Sequence, residues 1–230
     1  MTDRELRFDR VRVVREGRVA LDDVTLTLDE HRIAVVGENG SGKSTLARLL
    51  NGLVTATSGE VHVHGRNPAR EGAKVRAQTG FVFPNPAAQV IMPTVREDLA
   101  FSFRGRKLSR AEIAAKVDAT LDSVGLSELA DAPAHSLSSG QQQLLAVAAV
   151  LATEPGLVIA DEPTALLDLR NRSRIAELLL DPALPHQLVL VTHDLELAER
   201  CDVLVWVQDA RVASIGRPAD IIARYRASVA

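Results

Sequence analysis

Apolar and polar positions alternate near the start of the chain, at Leu6, Phe8, Val11 and Val13 and again at Val24, Leu26 and Leu28. That rhythm predicts short, half-buried strands. The pattern then changes: Ile33-Ala34-Val35-Val36 is continuously apolar and ends at Gly37, as in a strand buried on both faces. Ser44 to Leu50 predicts the following helix, stopped at Asn51-Gly52. Val61 and Val63 alternate with His62 and His64, and Gly80 to Phe83 gives another short strand. From about Val95 to about Ala152 the pattern is helical, with Ser109 and Glu112 forming a capping box before Ile113, Val117 and Leu121. Strand character returns at Leu157–Ala160, Leu188–Thr192 and Val203–Val207, with helical segments between. The alternation predicts a doubly wound α/β core interrupted by a mostly helical insert at about 84–145. No repeat, low-complexity tract or floppy linker interrupts it.

Composition narrows the partners. A chain of 230 residues with 46% apolar residues fits one α/β domain carrying a subdomain. A net charge of −3 gives no electrostatic footprint for nucleic acid. The single cysteine, Cys201, excludes an internal disulfide and reads as core filling. The opening Met1-Thr2-Asp3-Arg4-Glu5 is charged and lacks the apolar stretch of a signal peptide. The longest uninterrupted apolar run, Leu144–Ala152, is far shorter than the ~20 residues a membrane helix needs. Any membrane role is therefore expected to go through a partner.

The candidate chemistry lies at strand ends. Gly37-Glu38-Asn39-Gly40-Ser41-Gly42-Lys43-Ser44 fits the phosphate-loop pattern G-x-x-x-x-G-K-[ST] between a predicted strand and helix. Glycines let the backbone wrap phosphates, Lys43 supplies a point charge, and the Ser44 hydroxyl can ligate Mg²⁺. Val158-Ile159-Ala160 delivers Asp161 and Glu162 at the next site, just before Pro163. Asp161 suits the Mg²⁺ shell and Glu162 a general base that polarises water. His193 follows the buried strand Leu188–Val191 and could bond a γ-phosphate and orient the water. The other five histidines, among them His62 and His64, are expected at the surface or in strands, since no metal-ligand set accompanies them.

A second anion site needs explaining. Leu137-Ser138-Ser139-Gly140-Gln141 opens onto an apolar helix, so its backbone N–H groups form a positive helix end. In this order the motifs resemble those of the ABC-type ATPases across essentially the whole chain. The resemblance implies a P-loop NTPase (RecA-like) α/β core with a mixed sheet, about 1–83 and 146–230, plus an inserted helical subdomain, about 84–145. It also implies two Mg²⁺-ATP held in a homodimer, or a heterodimer with a paralogue. One subunit would supply the phosphate loop and Thr45, the other Ser138, Gly140 and Gln141. Asp168, after Thr164-Ala165-Leu166-Leu167, looks like the family's dimer-contact aspartate. Three departures stand out. Pro84 occupies the place of a glutamine that reaches the Mg²⁺, with Gln89 five residues on. Arg15 lies where an aromatic residue would stack on adenine, and Ser139 replaces the commoner glycine.

Asn85-Pro86-Ala87-Ala88-Gln89, followed by Pro93-Thr94-Val95-Arg96-Glu97-Asp98-Leu99-Ala100-Phe101, resembles the pattern of energy-coupling-factor (ECF) importers of vitamins and metals. The resemblance implies that Asn85–Phe101 receives a membrane scaffold (T) protein, with a substrate-binding membrane (S) protein in the same complex. It places the chain peripherally on the cytoplasmic face of the membrane. Leu166-Leu167-Asp168-Leu169-Arg170-Asn171 and the short C-terminus are most similar to the biotin-importer branch, with cobalt or nickel import as the alternative. A soluble ABC ATPase of DNA repair or translation fits less well, because the chain has one domain, no heptads and no basic face.

Overall fold

The computed structural model describes residues 4–165 and 167–228. In chain order the first half comprises β1 (Leu6–Arg15), β2 (Arg18–Leu28), β3 (Arg32–Val36), α1 (Lys43–Leu50), β4 (Ser58–Val63), α2 (Pro68–Arg76) and β5 (Thr79–Val82). The helical insert follows as α3 (Val95–Phe101), α4 (Arg110–Ser123) and α5 (Ser139–Leu151). The chain continues with β6 (Leu157–Asp161), α6 (Leu169–Leu180), β7 (Gln187–Val191) and α7 (Leu195–Glu199). It ends with β8 (Val203–Gln208), β9 (Arg211–Gly216) and α8 (Pro218–Ser228).

These strands make two sheets rather than one. A six-stranded sheet, ordered β5-β6-β7-β3-β8-β9, is parallel except for β9, which pairs antiparallel with β8. A separate antiparallel sheet, ordered β2-β1-β4, covers one of its faces. The apolar spacing along β1 breaks step between Phe8 and Val11, and the register slips there too, with Arg10 at φ 46°. This bulge lets Leu6, Phe8, Val11 and Val13 all face inward despite the change of parity.

The continuous apolar strands feed two cores. Ile33 and Val35 of β3 pack with α1 and the small sheet, while Ala34 and Val36 pack with α5, α6 and the insert. Because both faces are covered, these strands cannot alternate with polar residues. Helix α5 runs straight through residues 145–146, so the insert joins the core along a continuous helix buried from Leu144 to Ala149. This geometry brings the C-terminal ends of β3, β6 and β7 side by side, where open α/β sheets place their ligands.

Candidate nucleotide site

The phosphate loop leaves β3 and enters α1 through Gly42, which caps the helix at φ 113°. A side chain is excluded here on two counts, since an added Cβ would stand 2.5 Å from the Ala20 carbonyl and 2.8 Å from Leu21 Cδ2. Gly37 is as constrained, its Cβ position lying 2.0 Å from the Val207 carbonyl. Glu38, Asn39 and Gly40 are exposed at the loop's rim and Ser41 is buried beneath it. Lys43 is nearly buried, and its Nζ donates to the Gly37 and Glu38 carbonyls at 2.8 and 2.7 Å. Burial pulls the Lys43 ammonium below its ordinary value, against the nearby carboxylates of Glu162, Asp161 and Glu38, which raise it.

Ser44 Oγ donates to Asp161 Oδ1 at 2.8 Å. Asp161 ends β6 with no exposed surface, and Arg48 Nη2 stands 3.4 Å from its other oxygen, Oδ2. One residue on, Glu162 sits at φ 50°, a left-handed conformation that non-glycine residues rarely take. Its backbone N–H donates to the Val191 carbonyl, and its Oε2 lies 2.7 Å from His193 Nδ1. Thr192 and Asp194 fix that histidine's backbone. The Thr192 hydroxyl accepts from the Asp194 N–H, and the Asp194 side chain caps α7. Lys43, Ser44, Asp161, Glu162 and His193 thus meet beyond the C-terminal ends of β3, β6 and β7, and Thr45 continues α1 beside them.

The remaining predicted residues form a second group. Ser138 caps α5 in a reciprocal box: its hydroxyl accepts from the Gln141 N–H, and Gln141 Oε1 accepts from the Ser138 N–H. The Gln141 amide is therefore engaged in its own helix, while the Ser139 and Gly140 N–H groups have no acceptor within the helix. Asp168 caps α6, accepting from the Asn171 backbone and from Asn171 Nδ2 at 2.9 and 2.8 Å. The Asn171 bonds hold the Asp168 carboxyl below its usual range. Asn171 also packs on Gly140, whose Cβ position lies 2.3 Å from Nδ2, so the two cap sites are in contact. Leu166 lies outside the described residues. The two groups share no hydrogen bond among the described residues.

Several residues named in the sequence take places that their motifs did not foretell. Gln89, next to the Pro84 departure, accepts from the Phe83 N–H through Oε1 and donates to the Phe81 carbonyl through Nε2. Its amide closes the end of β5. Asp98, nearly buried, accepts from the Ile91 and Met92 N–H groups and pins the loop ahead of α3. Arg15 is exposed at the tip of β1. One expectation is corrected. His186 is neither at the surface nor in a strand: it is buried just before β7, where desolvation and His31 push its pKa down to about 4. No periodicity marks such a loop residue, because its burial comes from the elements folded around it.

The arrangement can hold a nucleoside triphosphate and a hard cation. The family model described as ABC transporter matches residues 21–165. The chain belongs to the ABC transporter ATPases. It is 43% identical to a biotin transport ATP-binding protein of Rhizobium etli over 96% of this chain and 97% of that one. It is 37% identical to an energy-coupling factor transporter ATP-binding protein of Lacticaseibacillus paracasei, over 88% of this chain and 74% of that one. Among solved structures, cbiO1 of Clostridium perfringens, part of the ABC transporter complex cbiONQ, superposes with a TM-score of 0.83 at 32% identity. That match covers 96% of this chain and 92% of that one. The chain is thus an ATP-hydrolysing transporter subunit of the ECF type. No helix among the described residues is long and apolar enough to cross a membrane.

Proposed function

We propose that the chain dimerises around two Mg²⁺-ATP and powers a biotin importer from the cytoplasmic face of the membrane. The observation that carries this is the second helix end at Ser138–Gly140 in a chain whose own phosphate loop is complete. A site with nothing left to bind in its own subunit suits the phosphate held by another.

The residues fit the groups they would hold. Ser44 and Asp161 offer hard oxygens 2.8 Å apart, the donor type Mg²⁺ prefers. An added Cβ at Gly40 meets nothing within 4 Å, leaving the rim of the loop open to phosphates. When bound, Mg²⁺ neutralises charge building on the terminal phosphates. Lys43 turns its ammonium from the loop carbonyls toward those oxygens. Glu162 accepts a proton from water, and His193, 2.7 Å away, holds the carboxylate in place. Asp168 and the Ser139 and Gly140 N–H groups face the other subunit. Asn85–Phe101, pinned by Asp98 and carrying Ile91 at 62% exposure, receives the membrane scaffold protein.

Biotin is favoured over cobalt or nickel by the name carried by the Rhizobium etli relative and by the similarity along the whole chain. Purifying the intact membrane complex and offering it labelled biotin, Co²⁺ and Ni²⁺ tests this. ATP-dependent uptake of biotin alone is expected; uptake of either metal ion would replace the assignment.

A further inference from the structure

Asp161 poses an electrostatic problem. Its carboxylate has no exposed surface, and burying an isolated charge is costly unless a partner compensates it. The Lys43 ammonium lies nearby, and two other side chains meet the carboxylate oxygens directly. Ser44 Oγ bonds one oxygen at 2.8 Å, and the Arg48 guanidinium faces the other at 3.4 Å. Arg48 lies one turn beyond Ser44 on α1, so both side chains leave the same helix face toward β6. Its side chain is one-third exposed, so the guanidinium can turn toward solvent without unfolding the helix.

We propose that Arg48 is a built-in stand-in for the metal: it neutralises Asp161 in the metal-free site and must release Oδ2 when a divalent cation enters. This rests on the reading of Ser44 and Asp161 as the metal-holding pair. Arg48 is a positioning residue under this account, acting on the metal site through Asp161. Two consequences oppose each other. The ion pair stabilises the empty protein, since without it the buried carboxylate would keep only the Ser44 hydroxyl and the charge of the nearby Lys43 ammonium. The same pair competes with the cation and lowers its affinity, which keeps the ATPase from retaining metal after nucleotide leaves.

The test compares wild type with Arg48→Met and Arg48→Gln, using Mn²⁺ as the probe and following free Mn²⁺ by EPR at saturating ADP. Both variants are expected to bind Mn²⁺ about fivefold more tightly, a modest gain because the pair is partly solvent-screened. Metal-free, both should melt at a lower temperature than wild type, and Mn²⁺-ADP should restore more of that loss than it adds to wild type. Placing Arg48→Met in an Asp161→Asn background should abolish the metal-free melting difference. Unchanged or weaker Mn²⁺ binding in the variants, or a melting difference that survives Asp161→Asn, overturns the proposal. Arg48→Gln keeps a neutral donor and guards against a Met variant that fails to fold. If wild type binds ADP with no dependence on Mn²⁺, the underlying reading of the site fails instead.

Discussion

His186 and Cys201 show how burial sets the chemistry of a single residue. Desolvation pushes the Cys201 thiol up to about 12, which leaves it unreactive, as expected of core filling. The same force pushes the His186 imidazole down to about 4, from 6.5 when exposed. The unfolded chain therefore binds more protons there than the folded one between those two values. The folded state is favoured fully above pH 6.5, and that contribution is lost as pH falls toward 4. The cost by pH 4 is about 2 kcal/mol, allowing for partial solvent screening. Thermal melts at pH 7.5 and 5.0 should show a smaller acid loss for His186→Gln than for wild type. At this scale the phosphate-loop residues, Asp161, Glu162 and His193 were legible because the residue type and its place at a strand end coincide. Arg48 and Gln89 were not, because their partners lie across the fold: Arg48 meets Asp161 on another element, and Gln89 folds back on β5.

Among the elements, helix α5 links most of the account. Its start was legible, since Ser138-Ser139-Gly140 opens onto an apolar run, but the reciprocal box of Ser138 with Gln141 was not read there, unlike that of Ser109 and Glu112 in α4. The contact of Gly140 with Asn171 was not legible, because it joins helices 31 residues apart in the chain (171 − 140). Replacing Gly140 with Ala drives a methyl into the Asn171 amide, at a cost of about 1–3 kcal/mol. Asn171→Ala should recover most of that loss, measurable by chemical denaturation of the single and double variants. Helix α3 carries a parallel lesson. Thr94, Glu97 and Asp98 hold the loop and the helix start rather than reaching outward, while Ile91 projects. Asp98→Asn weakens two bonds to backbone N–H groups and should reduce capture of the membrane scaffold protein while leaving ATP affinity unchanged. Co-purification and a nucleotide-binding titration separate the two effects. Strand β9 escaped the pattern because its residues are half-exposed at a sheet edge, and α2 because it is mostly polar and kinked at Glu71.

For the whole molecule, the doubly wound core was readable from the change between alternating and continuous apolar runs. The second sheet was not, since β1, β2 and β4 alternate just as edge strands of a single sheet would. The unusual feature at this scale is Pro84, which joins β5 to the insert without a polar side chain or a backbone N–H. Gln89 is occupied in closing β5, so its amide does not take the place of the missing side chain. Pro84→Gln is therefore expected to raise the ATPase rate of the assembled complex, or the substrate moved per ATP. Unchanged rate and uptake would remove Pro84 from the account. The same reasoning shifts weight to the contact between subunits, and a sedimentation measurement tests that contact most directly. Glu162→Gln, which should bind ATP without hydrolysing it, is expected to sediment with Mg²⁺-ATP at twice the 24.8 kDa chain mass. Adding Ser138→Arg should return it to the monomer with ATP still bound. A Glu162→Gln protein that stays monomeric with ATP, or a dimer that survives Ser138→Arg, would contradict the two-subunit clamp.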